Sequence, residues 1–242
     1  MSELLLFAVV FLISFVGSML QGSIGFGLGP FAVPLLVLID PAFVPAPLLL
    51  VALVLTSLMF VRERSAVRFE EFSFAAIGRV IGSIIGAYFL TIFPAQHLKP
   101  LFALLVIIAV ILSVAGIKLA LNRKNLISAG VVSGFMATVA AIGGAPMALV
   151  FQRESGPKIR GTLAAIFILG TIVSLVSLAI VGKFTLADVH RALWLLPGVL
   201  LGFFFSKKTA RILDRGYLRP AILTLTTLAA MAIIFDQWFL NR

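Results

Sequence analysis

The stretch Gln21-Gly22-Ser23-Ile24-Gly25-Phe26-Gly27-Leu28-Gly29-Pro30-Phe31-Ala32-Val33-Pro34 interrupts an otherwise apolar run over residues 4–39. Its glycines lower helix propensity and its prolines remove backbone donors, so the stretch predicts a break in a helix. Unpaired backbone amides and carbonyls are costly in hydrocarbon, so such a break persists only where protein or a water-filled cavity surrounds it. The sequence therefore predicts a binding site at this break.

A second break follows later in the chain, as Ala141-Ile142-Gly143-Gly144-Ala145-Pro146. Several glycines and prolines recur at a constant spacing of 116 residues: Gly27 with Gly143, Pro30 with Pro146, Pro41 with Pro157, Gly82 with Gly198, and Gly86 with Gly202. The last apolar run of each half also opens alike, with Leu98-Lys99-Pro100 and Leu218-Arg219-Pro220. These matches predict an internal duplication, with repeats over residues 1–121 and 122–242 that form one compact membrane domain.

The composition indicates a polytopic membrane protein. Hydrophobic residues make up 62% of the 242 residues, charged residues make up 12%, and the mean hydropathy is +1.20. Soluble domains are about 45–50% apolar and about 25% charged. The formal net charge of +10 comes from basic residues dispersed among short loops, so we expect it to orient the chain in the bilayer rather than to bind nucleic acid.

Charged residues divide the chain into apolar runs that predict an all-α fold. Each half contains one broken run followed by three spans, and the runs cover residues 4–39, 43–61, 72–93, 101–121, 126–151, 163–181, 192–206 and 221–240. Basic residues concentrate around residues 62–68, 118–124, 153–160 and 207–219, which the positive-inside rule assigns to the cytoplasm. Each broken run then begins and ends on one side as a re-entrant helical hairpin. The second half is inverted relative to the first, and both termini are expected outside.

Several of these features resemble the TauE/SafE family of sulfite exporters. They are the breaks Gly25-Phe26-Gly27-Leu28-Gly29-Pro30 and Gly143-Gly144-Ala145-Pro146, the Lys158-Ile159-Arg160-Gly161-Thr162 stretch and the twin Leu-Lys/Arg-Pro openings. The resemblance covers essentially the whole chain. It implies a secondary transporter in a bacterial-type plasma membrane that exports or takes up its substrate. Export is the expected direction, and the sequence leaves the direction of flux open. The implied substrate is a small anion, often a sulfur oxoanion or organosulfonate such as sulfite, sulfoacetate or thiosulfate.

The two halves depart from each other at positions that bear on a site. Ala145 stands where the first half has Gly29, and Gly161-Thr162-Leu163 stands where the first half has Pro45-Ala46-Pro47. We therefore expect the two half-sites to differ.

The breaks themselves predict an anion site. Half-helices that begin just after Gly29 and Gly144 would direct their positive N-terminal ends toward the protein centre, and glycine would let an oxyanion approach the amides. Close helix packing through small residues is the alternative explanation of the same glycines. The candidate substrate-binding residues are Gln21, Gly22, Ser23, Gly25, Gly27, Gly29, Pro30, Arg79, Ser133, Thr138, Gly143, Gly144, Pro146 and Arg191.

Two arginines in this set lie in or beside apolar runs. Arg79 is about seven residues, or roughly 10 Å of helix, into its run, and Arg191 opens another. An intramembrane arginine is by default a candidate functional residue. Either side chain would alternatively reach the interface by snorkelling, and the sequence leaves both readings open.

The remaining polar residues argue against an enzyme, a cofactor or a metal site. The nine carboxylates lie in loops or near the ends of runs, which disfavours a mid-membrane proton relay and a paired-carboxylate hydrolase. His97 and His190 have no second ligand type at metal-binding spacing, and the chain has no cysteine. The sequence leaves open a proton or other coupling ion and the oligomeric state. It also leaves open an anion channel and a non-transporting membrane anchoring or assembly subunit.

Overall fold

A computed structural model describes residues 2–114, 119–152, 154 and 156–213 of the chain. These residues form helices and turns, with no strand among them. The helices are α1 Glu3–Ile24, α2 Leu28–Ile39, α3 Ala46–Glu63, α4 Phe69–Ile92, α5 Leu98–Val114, α6 Arg123–Ala140, α7 Gly144–Phe151, α8 Gly156–Ile180 and α9 Leu186–Leu213. Short 3-10 turns cover Pro41–Phe43, Arg64–Ala66 and Ala95–His97. The predicted last span and its Leu218-Arg219-Pro220 opening lie outside the described residues.

Six stretches of the described chain are long and apolar enough to cross a membrane. They are Glu3–Ile24, Pro41–Ala66, Phe69–Ile92, Ala95–Ser113, Gly156–Ile180 and Leu186–Thr209. The prediction of an all-helical polytopic membrane protein is therefore confirmed.

Both predicted breaks are present, and each is only three residues long. In the first, Gly25 and Gly27 adopt φ values of 100° and 139°, in the region that favours glycine. In the second, Ala141 takes a left-handed φ of 58° directly after α6. The positive φ values stop α1 and α6, because a helix cannot continue through them.

The start predicted for the first half-helix is wrong by two residues. α2 begins at Leu28 rather than after Gly29, whereas α7 begins at Gly144 itself. Pro30 and Pro146 are each the third residue of their helices. The amides of a first turn have no intrahelical acceptor, so a proline without an N–H breaks no hydrogen bond there.

Two later helices are longer than the apolar runs predicted. α8 already begins at Gly156 and includes Arg160, while α9 covers Leu186–Leu213 and includes Arg191 and Lys207. The predicted boundaries were placed at charged residues. Charge marks where a chain meets the aqueous interface, but lysine and arginine are good helix formers, so the helices continue through them.

Helix pairing rests on glycines that bring backbones together. α4 packs along α6, where a Cβ at Gly78 or Gly82 would collide with the carbonyl oxygens of Ile127 or Val131. α1 packs along α9 in the same manner, through Gly198 and Gly202. The glycines at the spacing of 116 residues, Gly82 and Gly198, thus occupy corresponding contacts. The inverted duplication and its boundary at residues 121 and 122 stay predictions.

The central part of the molecule consists of the two breaks with α3 and α8. α2 folds back on α1, so that Gly17 of α1 lies against Leu28 and Phe31 of α2. α3 packs against α8, and both α2 and α7 pack against α5. Leu36, Leu48 and Leu55 are fully buried in this region, which closes around the breaks.

The contact between α4 and α6 predicts the effect of a single methyl group. Gly82→Ala should lower the free energy of unfolding by about 1–3 kcal/mol, because the added carbon meets the backbone of α6 and not a flexible side chain. The midpoint of thermal unfolding of the purified protein measures this. Ile81→Ala is the control, since Ile81 is 44% exposed on the outer face of the same helix. Equal midpoints for the two variants would contradict the packing described.

The predicted topology is tested by single cysteines, because the chain has none of its own. Ser65→Cys should react with an impermeant thiol reagent from the cytoplasmic face and Gln96→Cys from the opposite face. Both residues are exposed in short turns. Reaction of Gln96→Cys from the cytoplasmic face alone would refute the orientation.

Candidate functional site

A small cavity lies where the two breaks meet α3, α4 and α8. Measured over the positions open to the centre of a water molecule, its volume is about 40 Å³. At roughly 10–15 Å³ per water on this measure, it has room for about three. Its walls are formed by Gln21, Gly27, Leu28, Gly29 and Pro30 at the first break, Ala137, Ala141, Gly143 and Gly144 at the second, and Leu48, Leu49, Ala52, Thr56, Arg79, Phe167 and Thr171.

The two breaks touch each other beside this cavity. A Cβ at Gly29 would collide with the carbonyl oxygen of Ala141, and a Cβ at Gly144 would lie 2.7 Å from the Cβ of Phe26. These glycines therefore permit close packing between the breaks, and they also line the cavity. The packing and site interpretations of the glycines are compatible, because both act at the same place.

The N-terminal ends of α2 and α7 form part of the cavity wall. The Leu28 N–H, the first of α2, donates to the side-chain Oε1 of Gln21 at 3.1 Å. Because the amide oxygen of Gln21 accepts this bond, the orientation of the side-chain amide is fixed and Nε2 is its donor group. The Gln21 Nε2 makes no hydrogen bond to the described part of the chain. Gly29 and Gly144 belong to first turns, whose N–H groups have no intrahelical acceptor. This wall offers donors and partial positive charge.

Arg79 of α4 contributes a full positive charge to the wall. Arg79 is 2% exposed, and its NH1 donates to the carbonyl oxygen of Ser133 at 2.8 Å and to the Ser133 hydroxyl. The guanidinium carbon lies 5.1 Å from the centre of the Phe167 ring. The side chain fits because positions 143 and 170 are glycine, where a Cβ would collide with the guanidinium. The guanidinium therefore lies inside the protein and does not extend to an interface.

No carboxylate of the described residues pairs with Arg79, and its buried Nε has no hydrogen-bond partner among them. Burying a charge without a counter-charge is costly. An anion in the adjoining cavity would supply that counter-charge.

Arg191, the other arginine of the predicted set, is not at the cavity. It lies in α9 and is near Asp40 and Asp188, with nitrogen–oxygen distances of 4.0 and 3.8 Å. About a third of its side chain is exposed. Its place in the predicted site has no support from the geometry.

Ser133, Thr138 and Pro146 are buried behind the cavity wall and do not line it. The Ser133 hydroxyl accepts from Arg79 and donates to the carbonyl oxygen of Gly143, so it joins the arginine to the second break. Thr138 donates to the carbonyl oxygen of Gly134 at 2.9 Å and lies 2.7 Å from the Ser174 hydroxyl. Ser133 is thus a positioning residue rather than a wall residue.

Gly22, Ser23 and Gly25 also lie outside the cavity wall. The Gly22 carbonyl oxygen accepts from Arg62, and the Ser23 hydroxyl donates to the carbonyl oxygens of Met19 at 2.7 Å and Ser206 at 3.0 Å. Gly25 supplies the turn that ends α1. Of the predicted set, the structure brings together Gln21, Gly27, Gly29, Pro30, Arg79, Gly143 and Gly144.

Sequence reasoning missed Thr56 and Thr171, the hydroxyl side chains of the cavity wall. Thr56 of α3 donates to the carbonyl oxygen of Ala52 at 2.8 Å, while Thr171 of α8 makes no hydrogen bond to the described residues. Each interrupts an apolar run, which was the available signal. A hydroxyl in a span commonly bonds back to its own helix. A threonine within an apolar run therefore does not show whether its hydroxyl is available to a cavity or bonded to its own helix.

The resulting geometry suits a compact anion. A buried guanidinium, two helix N-termini and neutral donors surround a space of a few water molecules. Among the described residues, no group of three or more histidine, cysteine, aspartate or glutamate side chains is placed to hold a metal ion.

Comparison with known proteins gives a family match. Residues 10–233 match the family model described as Sulfite exporter TauE/SafE. Comparison with curated proteins gives no significant match, and comparison with solved structures gives none either. Since the match covers most of the chain and the fold is a helical membrane fold, the protein is a member of the sulfite exporter TauE/SafE family of membrane transporters.

Proposed function

We propose that this protein exports a compact sulfur oxoanion, and that the anion binds against Arg79 between the two helix breaks. Family membership supports transport of a small anion across a bilayer. The observation that carries the choice of site is the buried Arg79, which lines the cavity without a carboxylate partner among the described residues. A bound anion would pair with this charge.

The electrostatics of the cavity support an anion with one or two negative charges. Each helix N-terminus is equivalent to roughly half a positive charge, and α2 and α7 both begin at the wall. Together with Arg79 they produce a field that cations would enter only at high cost. Gln21 and Thr171 line the same wall, and the Gln21 Nε2 and the Thr171 hydroxyl would donate to oxyanion oxygens.

The size of the cavity narrows the substrate class. A space for about three waters favours sulfite or thiosulfate over sulfoacetate, because the carboxylate arm of sulfoacetate adds bulk and a second charged group. The proposed orientation is that of a bacterial-type plasma-membrane protein, with the basic ends of α3, α8 and α9 toward the cytoplasm and the N-terminus outside. An anion from the cytoplasm then enters past those ends.

Replacement of Arg79 tests the proposed site. Arg79→Gln should weaken sulfite binding by about tenfold or more, since a hydrogen bond to a charged group contributes about 1.5–3 kcal/mol. Arg79→Lys should recover part of the affinity, because it restores a point charge without the planar fork. Calorimetric titration of the purified protein measures both.

Arg191→Gln is the matched control, since it removes an arginine outside the cavity and should leave the affinity unchanged. Unchanged affinity in folded Arg79→Gln would refute the site. Sulfite currents that follow the electrochemical gradient alone would indicate an anion channel instead of a transporter.

The role of Ser133 predicts a smaller and indirect effect. Ser133→Ala removes the hydroxyl that links Arg79 to the second break, so sulfite affinity should fall while the bond from Arg79 to the residue 133 carbonyl oxygen remains. The free energy of unfolding should fall by about 1–3 kcal/mol. Ser57→Ala is the control, because Ser57 donates to the Leu53 carbonyl oxygen of its own helix and to no other described residue. Wild-type affinity in Ser133→Ala would show that Arg79 does not depend on this hydroxyl.

A further inference from the structure

A charged network lies at one end of the α3–α8 pair, away from the cavity. Arg160 Nε of α8 lies 3.0 Å from Glu63 Oε1 at the last residue of α3. Arg62 Nε lies 3.3 Å from the same carboxylate oxygen. Two guanidiniums therefore share one carboxylate. All three side chains are largely buried, with 15–21% of each exposed.

The network ties four helices together. Arg62 NH1 donates to the Ser206 hydroxyl of α9 at 2.9 Å, and Arg62 NH2 donates to the carbonyl oxygen of Gly22. Arg160 NH1 donates to the carbonyl oxygen of Ser23 at 3.3 Å. These carbonyls belong to the last turn of α1, where carbonyl groups lack intrahelical donors and the helix end is negative. The two arginines thus bind the end of α1 that leads into the first break.

The position of the network relative to the cavity follows from α3 and α8. Thr56 and Phe167 line the cavity, and the network residues lie six positions further along α3 and seven positions earlier in α8. At 1.5 Å per residue, both separations are roughly 10 Å. The network therefore lies at the basic ends of these helices, roughly 10 Å along each helix from the cavity.

The opposite end of the α3–α8 pair is closed differently. At the spacing of 116 residues that relates the two halves of the sequence, Arg62 corresponds to Leu178 and Arg160 corresponds to Val44. Both residues are buried and apolar. One end of the pair is thus closed by ion pairs and the other by hydrophobic packing.

We infer that Glu63, with Arg62 and Arg160, forms an ionic gate that closes the anion path between the Arg79 cavity and the basic side of the protein. The inference rests on the proposed transport function. An anion that approaches Arg62 and Arg160 can replace Glu63 as their counter-charge, so the carboxylate can move away without leaving the cations unpaired. An apolar closure has no counter-charge that an anion could replace. The charged end is therefore the end whose opening an anion can control.

Chemical access to the cavity tests the gate directly. Ala52→Cys places a reporter thiol on the cavity wall of a chain without native cysteine. An impermeant maleimide is applied to vesicles of both orientations. The separate single-cysteine variant Ser65→Cys identifies the face that carries the network. Adding Glu63→Gln should raise the labelling rate of the reporter about tenfold from that face and leave it unchanged from the other. Tenfold corresponds to about 1.4 kcal/mol in the equilibrium between closed and open states.

Glu154→Gln in the same reporter background is the matched control. It removes the carboxylate that pairs with Arg68 at 3.3 Å, at the same end of the molecule but outside the network. Its labelling rate should stay at the background value. Arg160→Gln is a second gate variant and should also raise the labelling rate. It replaces Glu63→Gln in the test if Glu63→Gln does not fold.

Labelling does not require any anion, so it separates the gate from the transport function. Unchanged labelling in a folded gate variant, with sulfite binding intact, would overturn the gate and leave the site standing. Equal increases from both faces, or an increase in Glu154→Gln, would also overturn it by showing general loosening. Absence of sulfite binding in the unmodified protein would instead overturn the proposed function.

Discussion

The structure depends on the enclosure of one positive charge. Arg79 lies in the middle of a membrane helix, where an unpaired cation is costly. Its guanidinium bonds to Ser133, lies over Phe167 and occupies space that exists because residues 143 and 170 are glycine. The second break and α8 are therefore arranged around this side chain. The first break completes the enclosure by bringing the start of α2 to the same cavity.

The glycines of this chain connect packing with chemistry. Gly82 and Gly198 bring neighbouring helices into backbone contact away from the cavity, as small residues commonly do in membranes. Gly29 and Gly144 bring the breaks together at the cavity itself, where short distances also expose first-turn amides. Close packing is thus the means by which two helix ends and Arg79 reach one small space.

The charge distribution differs between the halves of the sequence. At the spacing of 116 residues, Arg79 corresponds to Leu195, which is fully buried and apolar. The full positive charge of the cavity therefore comes from the first half. The first half also supplies Arg62 and Glu63 of the charged network, while the second supplies Arg160. If the predicted duplication is correct, the two halves keep a similar arrangement of glycines and prolines but carry different polar residues.

The sequence by itself determined the membrane class, the helical fold and the position of both breaks. These follow from local properties, namely apolar length, glycine φ freedom and the missing donor of proline, and they need no partner helix. The predicted ends of α8 and α9 are wrong, because charged residues mark where the chain meets the aqueous interface but do not end a helix. The burial of Arg79 at the cavity, the position of Arg191 beside Asp40 and the places of Thr56 and Thr171 in the cavity wall were decided only by tertiary structure. Whether a polar side chain lines a cavity, bonds to its own helix or pairs with an acid depends on which helix faces it, and contacts between residues far apart in the chain set that arrangement.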